Sequence, residues 1–225
     1  MDAKQIAAET AALRVEDGMI VGLGSGSTAE HAIRKIGERV RAGLRIQAVA
    51  SSRKSEALAK AEGITVLDPG DVVYVDLGID GADEVDPRLN LLKGGGGSLL
   101  REKILAYASR AFIVMVDDTK LVAHLGIRAV PLEVTPFGLS FTARHLASMG
   151  GDPVLRLQDN QPFITDNGNV IIDCKFPSID DPAALDVRLK MIPGVVETGL
   201  FPHKLVTAVL VGSADGRVNE RFPAL

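Results

Sequence analysis

Short, almost continuous apolar runs alternate with amphipathic segments along the first half of the chain. The apolar runs predict strands, and the segments in which apolar positions recur every three or four residues predict helices. The predicted elements are a strand at 19–23, a helix at 28–40, a strand at 46–50, a helix at 54–61, a strand at 72–77, a helix at 99–108 and a strand at 112–116. Strands that are apolar on both faces are typical of a mostly parallel sheet covered by helices. This half therefore predicts an α/β domain.

The rhythm of the pattern changes after about Gly126. The predicted elements here are a strand at 130–134, a helix at 139–149, strands at 154–157 and 170–173, a helix at 182–191 and a strand from 195 onward. The order βαββαβ is that of a ferredoxin-like α+β domain. The apolar run 205–211 again has the character of the first-half strands. We therefore predict a larger domain formed by residues 1–126 and 202–225, with an inserted domain at 127–201.

Composition and charge favour a cytoplasmic protein that binds a small molecule. The chain has 225 residues, 46% of them hydrophobic, which is enough for a large core. Its net charge of -4 disfavours nucleic acid as a partner. A single cysteine, Cys174, excludes a disulfide framework within the chain. No segment has the apolar character of a signal peptide or membrane span, so we expect no membrane partner and a cytoplasmic location.

Three glycine-containing polar loops follow predicted strands, and the first is GLGSGST at 22–28. In a parallel sheet, loops at the carboxyl ends of strands line the ligand crevice. Glycines allow close approach of the backbone to an anion, and a helix start supplies N–H donors, so this loop suits a phosphate. The alternative is a purely local capping box, in which Ser27 caps the helix and pairs with Glu30.

The second loop, DGADEVD at 80–86, places four carboxylates within seven residues. Carboxylates beside a glycine can bind sugar hydroxyls and move protons among them. A divalent-cation site and a solvated acidic turn are the alternatives, although the spacing is not that of an EF-hand.

The third loop, KGGGGSLLREK at 93–103, has four consecutive glycines before a helix. Such a run is entropically costly, and close approach to a ligand would explain it. Lys93 supplies a cation at the entry of the loop, and Glu102 lies about one turn inside the helix. A flexible hinge is the alternative for the glycines, and a surface ion pair is the alternative for Glu102.

The remaining candidates carry weaker signals. Lys120, in DDTK after the strand 112–116, either neutralises a phosphate or is a solvated lysine. The histidines lack metal-ligand spacing, and Cys174 has no His or Cys nearby in sequence, so we predict no metal site.

Together these loops provide phosphate donors, carboxylates for hydroxyl groups, a lysine and a candidate base, without a nucleotide-binding motif. That set of groups fits proton transfer between adjacent carbons of a phosphorylated sugar, an aldose–ketose isomerisation. A sugar kinase would instead require nucleotide loops and metal-binding carboxylates.

In this order along the chain, the loops resemble the ribose-5-phosphate isomerase family of type A. The resemblance extends to TDNGNVIID at 165–173 and IPGVVETGLF at 192–201, and so covers nearly the whole sequence. It implies a Rossmann-like sheet with an inserted ferredoxin-like domain, assembly as a homodimer or homotetramer, and interconversion of ribose 5-phosphate and ribulose 5-phosphate without metal or organic cofactor.

The resemblance also implies roles for individual residues. Glu102 would be the proton acceptor, Asp80 and Asp83 would bind hydroxyls and assist proton movement, and Lys93 would stabilise the enediolate. The residues implied to contact substrate are Ser25, Gly26, Ser27, Thr28, Gly81, Ala82, Gly94, Gly95, Gly96 and Lys120.

Two rival functions follow from related folds. One is a different sugar-phosphate isomerase or deaminase, such as a glucosamine-6-phosphate deaminase, although the loops around Asp80 and Lys93 favour a pentose. The other is the sugar-phosphate sensor of a transcription regulator. A sensor of that kind follows a helix-turn-helix, and here the first predicted strand begins near Met19.

Overall fold

The computed structural model describes residues 2–223, and five of the six α-helices in this range agree closely with the sequence pattern. The helices are α1 (Ala3–Ala12), α2 (Gly26–Arg41), α3 (Arg53–Ala61), α4 (Leu99–Ala108), α5 (Leu139–Ser148) and α6 (Pro182–Lys190). The strands are β1 (Ile20–Leu23), β2 (Gln47–Ala50), β3 (Thr65–Val66), β4 (Val75–Gly81), β5 (Glu84–Val85), β6 (Leu91–Leu92), β7 (Ser109–Asp117), β8 (Val130–Val134), β9 (Asp152–Leu155), β10 (Leu157–Gln158), β11 (Gln161–Pro162), β12 (Val170–Lys175), β13 (Val195–Thr198), β14 (Leu200–Phe201), β15 (Ala208–Gly212) and β16 (Val218–Arg221).

The chain divides into two compact units. The first contains the residues up to Ala82, Arg101–Leu121 and the residues from Lys204 onward; the second contains Asp83–Leu100 and Val122–His203. The second unit is larger than the predicted insertion of 127–201, because it also includes 83–100. The predicted domain boundaries themselves stay a prediction.

The first unit is built on a seven-stranded sheet in the order β16-β15-β7-β4-β1-β2-β3. All its pairings are parallel except that of β15 with the edge strand β16. The strand order reverses between β1 and β4, since later strands are added on both sides of this pair. Ligands of such sheets bind beyond the carboxyl ends of the strands at this switch point. This sheet confirms the predicted Rossmann-like fold class.

The second unit contains a four-stranded antiparallel sheet in the order β13-β8-β12-β9. With α5 and α6, the chain order is βαββαβ, which confirms the predicted ferredoxin-like arrangement. A separate three-stranded sheet, β14-β6-β5, carries the segment between the acidic loop and the glycines.

Three local predictions were incomplete. The strand predicted at 72–77 begins at Val75, because Val73 points outward with 95% of its surface exposed. The strand predicted at 154–157 is two short strands, β9 and β10, separated by Arg156. Helix α1 was not predicted, although its alanine-rich face is buried in the core of the first unit.

Each unit has its own apolar core. The core of the first unit joins the sheet residues to α1 and α2, and that of the second joins the four-stranded sheet to α5 and α6. Within residues 2–223, no helix combines the length and the apolarity needed to cross a membrane.

Candidate active site

The loop after β1 forms the start of helix α2, and it begins earlier than predicted. The N-cap is Ser25 and the first helical residue is Gly26. The capping-box alternative is therefore wrong, because Ser27 already lies inside the first turn. Gly26 and Ser27 are exposed. The first N–H groups of a helix have no acceptor within it, so this turn presents donors where an anion could bind.

Ser25 does not cap the helix with its side chain. Its hydroxyl instead lies 2.7 Å from Ser51 Oγ, at the end of β2. Ser55 Oγ donates to the carbonyl of Gly24 at 2.7 Å, and Ser52 Oγ donates to Ser55 Oγ at 2.9 Å. This cluster of serines holds the first loop in place. Sequence reasoning missed it, although Ser51 and Ser52 follow a strand just as the chosen loops do.

The charge of Glu30 near the start of α2 is offset by two cations. Glu30 Oε1 lies 2.7 Å from Lys54 Nζ, and Glu30 Oε2 lies 3.7 Å from Arg34 Nη2. The nearby carboxylate therefore opposes anion binding at this helix start less than its sequence position suggests.

Asp80, at the end of β4, lies directly beside the first loop. Its Oδ1 accepts hydrogen bonds from the Ser25 N–H at 3.0 Å and the Gly81 N–H at 2.7 Å, and only 2% of the residue is exposed. Gly24 makes room for it, because a Cβ at Gly24 would lie 2.1 Å from Asp80 Cγ. The carboxylate is thus fixed at the switch point of the sheet.

Glu102 lies in the first turn of α4 and is 5% exposed. Its side chain and that of Asp80 line one small gap in the packing, together with Gly24 and Ser51. The surface ion-pair alternative for Glu102 is wrong, because its side chain is buried. Two candidate residues from separate parts of the sequence therefore meet within the first unit.

Two further candidates lie at the same edge of the sheet. Thr28 is next to Gly81, since a Cβ built at Gly81 would contact Thr28 Cβ at 3.6 Å. Lys120 ends a short 3-10 helix after β7, and Asp117 closes that turn by accepting from the Thr119 N–H at 2.9 Å. Lys120 is half-buried. Ala82, also half-buried, is the last residue of the first of the three chain segments that form the first unit.

Asp83 and Lys93 belong to the second unit, where they flank the β5–β6 pair. Glu84 pairs with Leu92 in that ladder, so Asp83 and Lys93 occupy the next position on the two strands. Lys93 is 3% exposed, and its Nζ lies 5.5 Å from the centre of the buried Phe201 ring. Such an arrangement holds a cation in a partly apolar surrounding.

The glycine loop, residues 94–97, turns sharply beside Asp83. Gly94 and Gly97 adopt left-handed backbone conformations with φ of +106° and +81°. The Gly95 N–H donates to Asp83 Oδ2 at 2.8 Å, and a Cβ at Gly95 would approach that carboxylate to 2.9 Å. A Cβ at Gly96 would meet no atom within 4 Å. The protein itself therefore requires three of these glycines and leaves the fourth unexplained.

The other two acidic side chains of the second loop have structural partners. Glu84 accepts from the Gly126 N–H at 2.7 Å and the Arg128 N–H at 2.5 Å. Asp86 accepts from the N–H groups of Arg88 and Asn90 at 2.9 and 2.8 Å. The crowding of carboxylates in this loop is thus explained by backbone donors, without a cation. The solvated-turn alternative is wrong for Asp80, Glu84 and Asp86, which are buried.

No cluster of three or more His, Cys, Asp or Glu side chains in residues 2–223 has an arrangement that would hold a metal ion. Among the histidines, His203 hydrogen bonds to Asn90, its Nδ1 lying 3.2 Å from Asn90 Oδ1. Cys174 is fully buried in the second core, and this burial, with a smaller effect of Asp152, raises the pKa of its thiol to about 11.

A family model and the curated relatives point to the same family of proteins. A model of the family described as ribose 5-phosphate isomerase A (phosphoriboisomerase A) matches residues 47–216. A ribose-5-phosphate isomerase A from Thermomicrobium roseum is 53% identical over 223 residues, which cover 97% of this chain and 94% of the relative.

Solved structures of the same fold superpose on nearly the whole of this chain. The ribose 5-phosphate isomerase A of Methanocaldococcus jannaschii has a TM-score of 0.94 and 42% identity, with 98% of each chain covered. A D-ribose-5-phosphate isomerase in complex with phospho-erythronic acid has a TM-score of 0.94 and 40% identity, with 99% of this chain and 100% of that chain covered.

Proposed function

Because the chain belongs to the ribose 5-phosphate isomerase A family, we propose that it interconverts ribose 5-phosphate and ribulose 5-phosphate, an aldose–ketose isomerisation of the pentose phosphate pathway. The family match, the identity of relatives over nearly the whole chain and the agreement of the fold support this function.

In the proposed reaction, Glu102 takes the proton from C2 of the open-chain aldose. The electrons of the broken C–H bond form a double bond between C1 and C2, and the C1 carbonyl oxygen becomes an enediolate oxygen. Glu102 then returns the proton to C1, while the oxygen on C2 becomes the ketose carbonyl as its own proton moves to the oxygen on C1. Atoms and electrons balance without an external oxidant.

Asp80 and Asp83 are proposed to bind the sugar hydroxyls and to carry the proton between the two oxygens. Lys93 is proposed to stabilise the negative enediolate, where a fixed cation in a partly apolar surrounding acts more strongly than in water. We expect no metal or organic cofactor in this scheme.

The remaining candidates are proposed to bind the phosphate end and the sugar chain. The first turn of α2, with Gly26, Ser27 and Thr28, offers N–H and hydroxyl donors, and Lys120 adds a positive charge. The relative solved in complex with phospho-erythronic acid binds a phosphorylated sugar acid. Such a compound resembles an enediolate in the pair of oxygens that it presents.

The observation that carries the proposal is that Asp80 and Glu102, from separate parts of the sequence, line the same small gap in the first unit. Both carboxylates are buried, and both lie at the switch point where sheets of this type bind ligands. A buried glutamate is shielded from bulk water, which favours transfer of the proton from C2 to C1 over side reactions of the enediolate.

The test is an assay of ribulose 5-phosphate formation from ribose 5-phosphate in the presence of a chelator. We expect full activity of the native chain with chelator, and a loss of kcat of at least about a thousandfold in Glu102→Gln, because the amide cannot accept the proton. Glu56→Gln is the matched control, since Glu56 is an exposed helix residue paired with Lys60. Near-normal turnover of Glu102→Gln would remove Glu102 from the mechanism, and loss of activity with chelator would establish a metal requirement.

We also propose that the chain forms a homodimer or homotetramer in the cytoplasm, where phosphorylated sugars are retained by their charge. Exposed aromatic side chains on the second unit, Phe137 and Phe141, support self-association. Light scattering after size-exclusion chromatography tests the assembly, and a monomer at micromolar concentration would contradict it.

A further inference from the structure

A short hairpin of the second unit lies against the glycine loop. Its strands β10 and β11 pair Leu157 with Pro162, and the ladder continues to its base, where the Phe163 N–H donates to the Arg156 carbonyl at 2.9 Å. Asp159 and Asn160 have positive φ angles of 50° and 61°, as the tight turn of a hairpin requires. The base of the hairpin therefore presents Arg156 and Phe163 side by side.

Arg156 divides its donors between two partners. Nε and Nη2 bond the carboxylate of Asp173 on β12 at 2.8 and 2.5 Å. Nη1 donates to the carbonyl oxygens of Gly94 at 2.8 Å and of Gly95 at 3.1 Å. Asp173 thus fixes the guanidinium plane, and the guanidinium holds two consecutive carbonyls of the glycine loop.

The geometry of a trans peptide connects this contact to Asp83. The C=O and N–H of one peptide unit point in opposite directions. When Arg156 holds the carbonyl of Gly94, the N–H of Gly95 is directed to the other side, where it bonds Asp83 Oδ2 at 2.8 Å. The peptide unit between Gly94 and Gly95 therefore links Arg156 to the carboxylate.

Phe163 supports the far end of the loop. A Cβ at Gly97 would lie 2.3 Å from Phe163 Cε1, so the ring packs directly on that glycine. The hairpin therefore contacts both ends of a loop that would otherwise have the backbone freedom of four glycines.

We propose that Arg156, oriented by Asp173, is a positioning residue of the isomerase site. It fixes the Gly94–Gly95 peptide so that the Gly95 N–H holds the Asp83 carboxylate in its working orientation. This inference rests on the proposed function, in which Asp83 acts on the sugar hydroxyls.

The central variant is Arg156→Lys, which keeps the positive charge. The single ammonium group of lysine cannot donate to the Asp173 carboxylate and to the loop carbonyls at once, as the three guanidinium nitrogens of Arg156 do. Asp173→Asn is the second variant, and it removes the charge that orients the guanidinium. Arg45→Lys is the matched control, because Arg45 forms a similar two-nitrogen contact with Asp17 on an exposed surface.

The first readout is hydrogen exchange of the Gly95 amide in the folded protein, which needs no activity. We expect exchange to accelerate at least about tenfold in Arg156→Lys and less in Asp173→Asn. The second readout is kcat, which we expect to fall about 10- to 100-fold in Arg156→Lys, as small misplacements of reacting groups do. Arg45→Lys should change neither.

The third readout combines Arg156→Lys with Asp83→Asn. If Arg156 acts through Asp83, the double variant should lose little more activity than Asp83→Asn alone. Additive losses would overturn the proposal, as would unchanged Gly95 exchange, or faster exchange with unchanged kcat. Failure of the proposed function is distinguishable, because the native chain would then show no isomerase turnover, whereas Gly95 exchange would still report the contact with Arg156. Normal turnover of Asp83→Asn would instead contradict only the role of Asp83.

Discussion

Asp80 packs on Gly24 so closely that the two positions cannot both carry ordinary side chains. A Cβ at Gly24 would lie 2.1 Å from both Cγ and Oδ1 of Asp80. Gly24 also donates its N–H to the Ile79 carbonyl at 2.9 Å, which continues the β1–β4 pairing past the end of β1. The carboxylate is therefore held by the strand pair at the switch point of the sheet.

Gly24→Ala should consequently damage the site. The added methyl group must displace Asp80 or the loop, an overpacking that costs about 1–3 kcal/mol of stability. We expect a lower unfolding free energy together with a strong loss of kcat, measured by denaturant unfolding and by the isomerase assay. Gly81→Ala is the control for stability, because its Cβ would have ordinary contacts of 3.6 Å or more. An active Gly24→Ala variant would mean that the position of Asp80 is unimportant.

Gly96→Ala should distinguish the two explanations of the four consecutive glycines, which are close approach of the backbone to a ligand and a flexible hinge. Gly96 has no positive φ, and a Cβ there meets no protein atom within 4 Å, so the unfolding free energy should change by less than about 0.5 kcal/mol. If a ligand contacts this backbone, the KM for ribose 5-phosphate should rise about tenfold.

Gly97→Ala provides the contrast within the same loop. Its φ of +81° and the Phe163 ring should make it destabilising. An unchanged KM for ribose 5-phosphate in Gly96→Ala would favour the hinge alternative.

Glu84→Gln should affect stability rather than catalysis. Glu84 accepts from two backbone N–H groups, and neutralising it weakens charge-assisted bonds by about 2 kcal/mol in total. We expect a lower Tm with kcat within about twofold of the native chain. Asp80→Asn should show the opposite balance, with kcat lost and Tm changed less. A large loss of kcat in Glu84→Gln would show that Glu84 is not a purely structural residue of the acidic loop.

Cys174 should make stability depend on alkaline pH. Burial raises the pKa of its thiol from the ordinary 9.0 to about 11. As the pH rises above 9, the unfolded thiol ionises before the folded one. The stability contributed by the buried neutral thiol is therefore present below pH 9 and lost between pH 9 and 11, by at most about 1.4 kcal/mol per pH unit.

The measurement is the unfolding free energy of the native chain and of Cys174→Ala across this range. The difference between the two unfolding free energies gives the effect of the thiol alone, because lysines and tyrosines that titrate in the same range contribute equally to both. If the unfolding free energies of the two proteins changed equally with pH between 9 and 11, the prediction would be contradicted. Slow reaction of the native thiol with an alkylating reagent at pH 8 is expected for the same reason.

The sequence predicted those elements and loops that are specified by patterns among neighbouring residues. The buried strand β1 and the helix α4 lie where the apolar periodicity places them. The prediction failed where a local signal misleads, since Val73 is apolar but exposed. The helix predicted from Thr28 begins at Gly26 with Ser25 as its N-cap, and the alternative of a Ser27–Glu30 capping box is excluded. No local signal links Arg156 to Gly94, because 62 positions separate them.

The amino-acid sequence determined most of the strands and helices and the three polar loops, because periodicity and glycine placement act over a few neighbouring residues. Two of these loops follow the parallel strands β1 and β4, whereas the glycine loop follows the antiparallel strand β6 of the second unit. It also determined which residue types stand in those loops. Only the tertiary structure decided that Asp80 and Glu102 line the same gap while Glu84 and Asp86 accept from backbone amides, since carboxylates that look alike in the sequence differ in what the folded chain brings next to them. The same holds for the serines around Gly24, whose hydrogen bonds exist only once separate strands lie side by side.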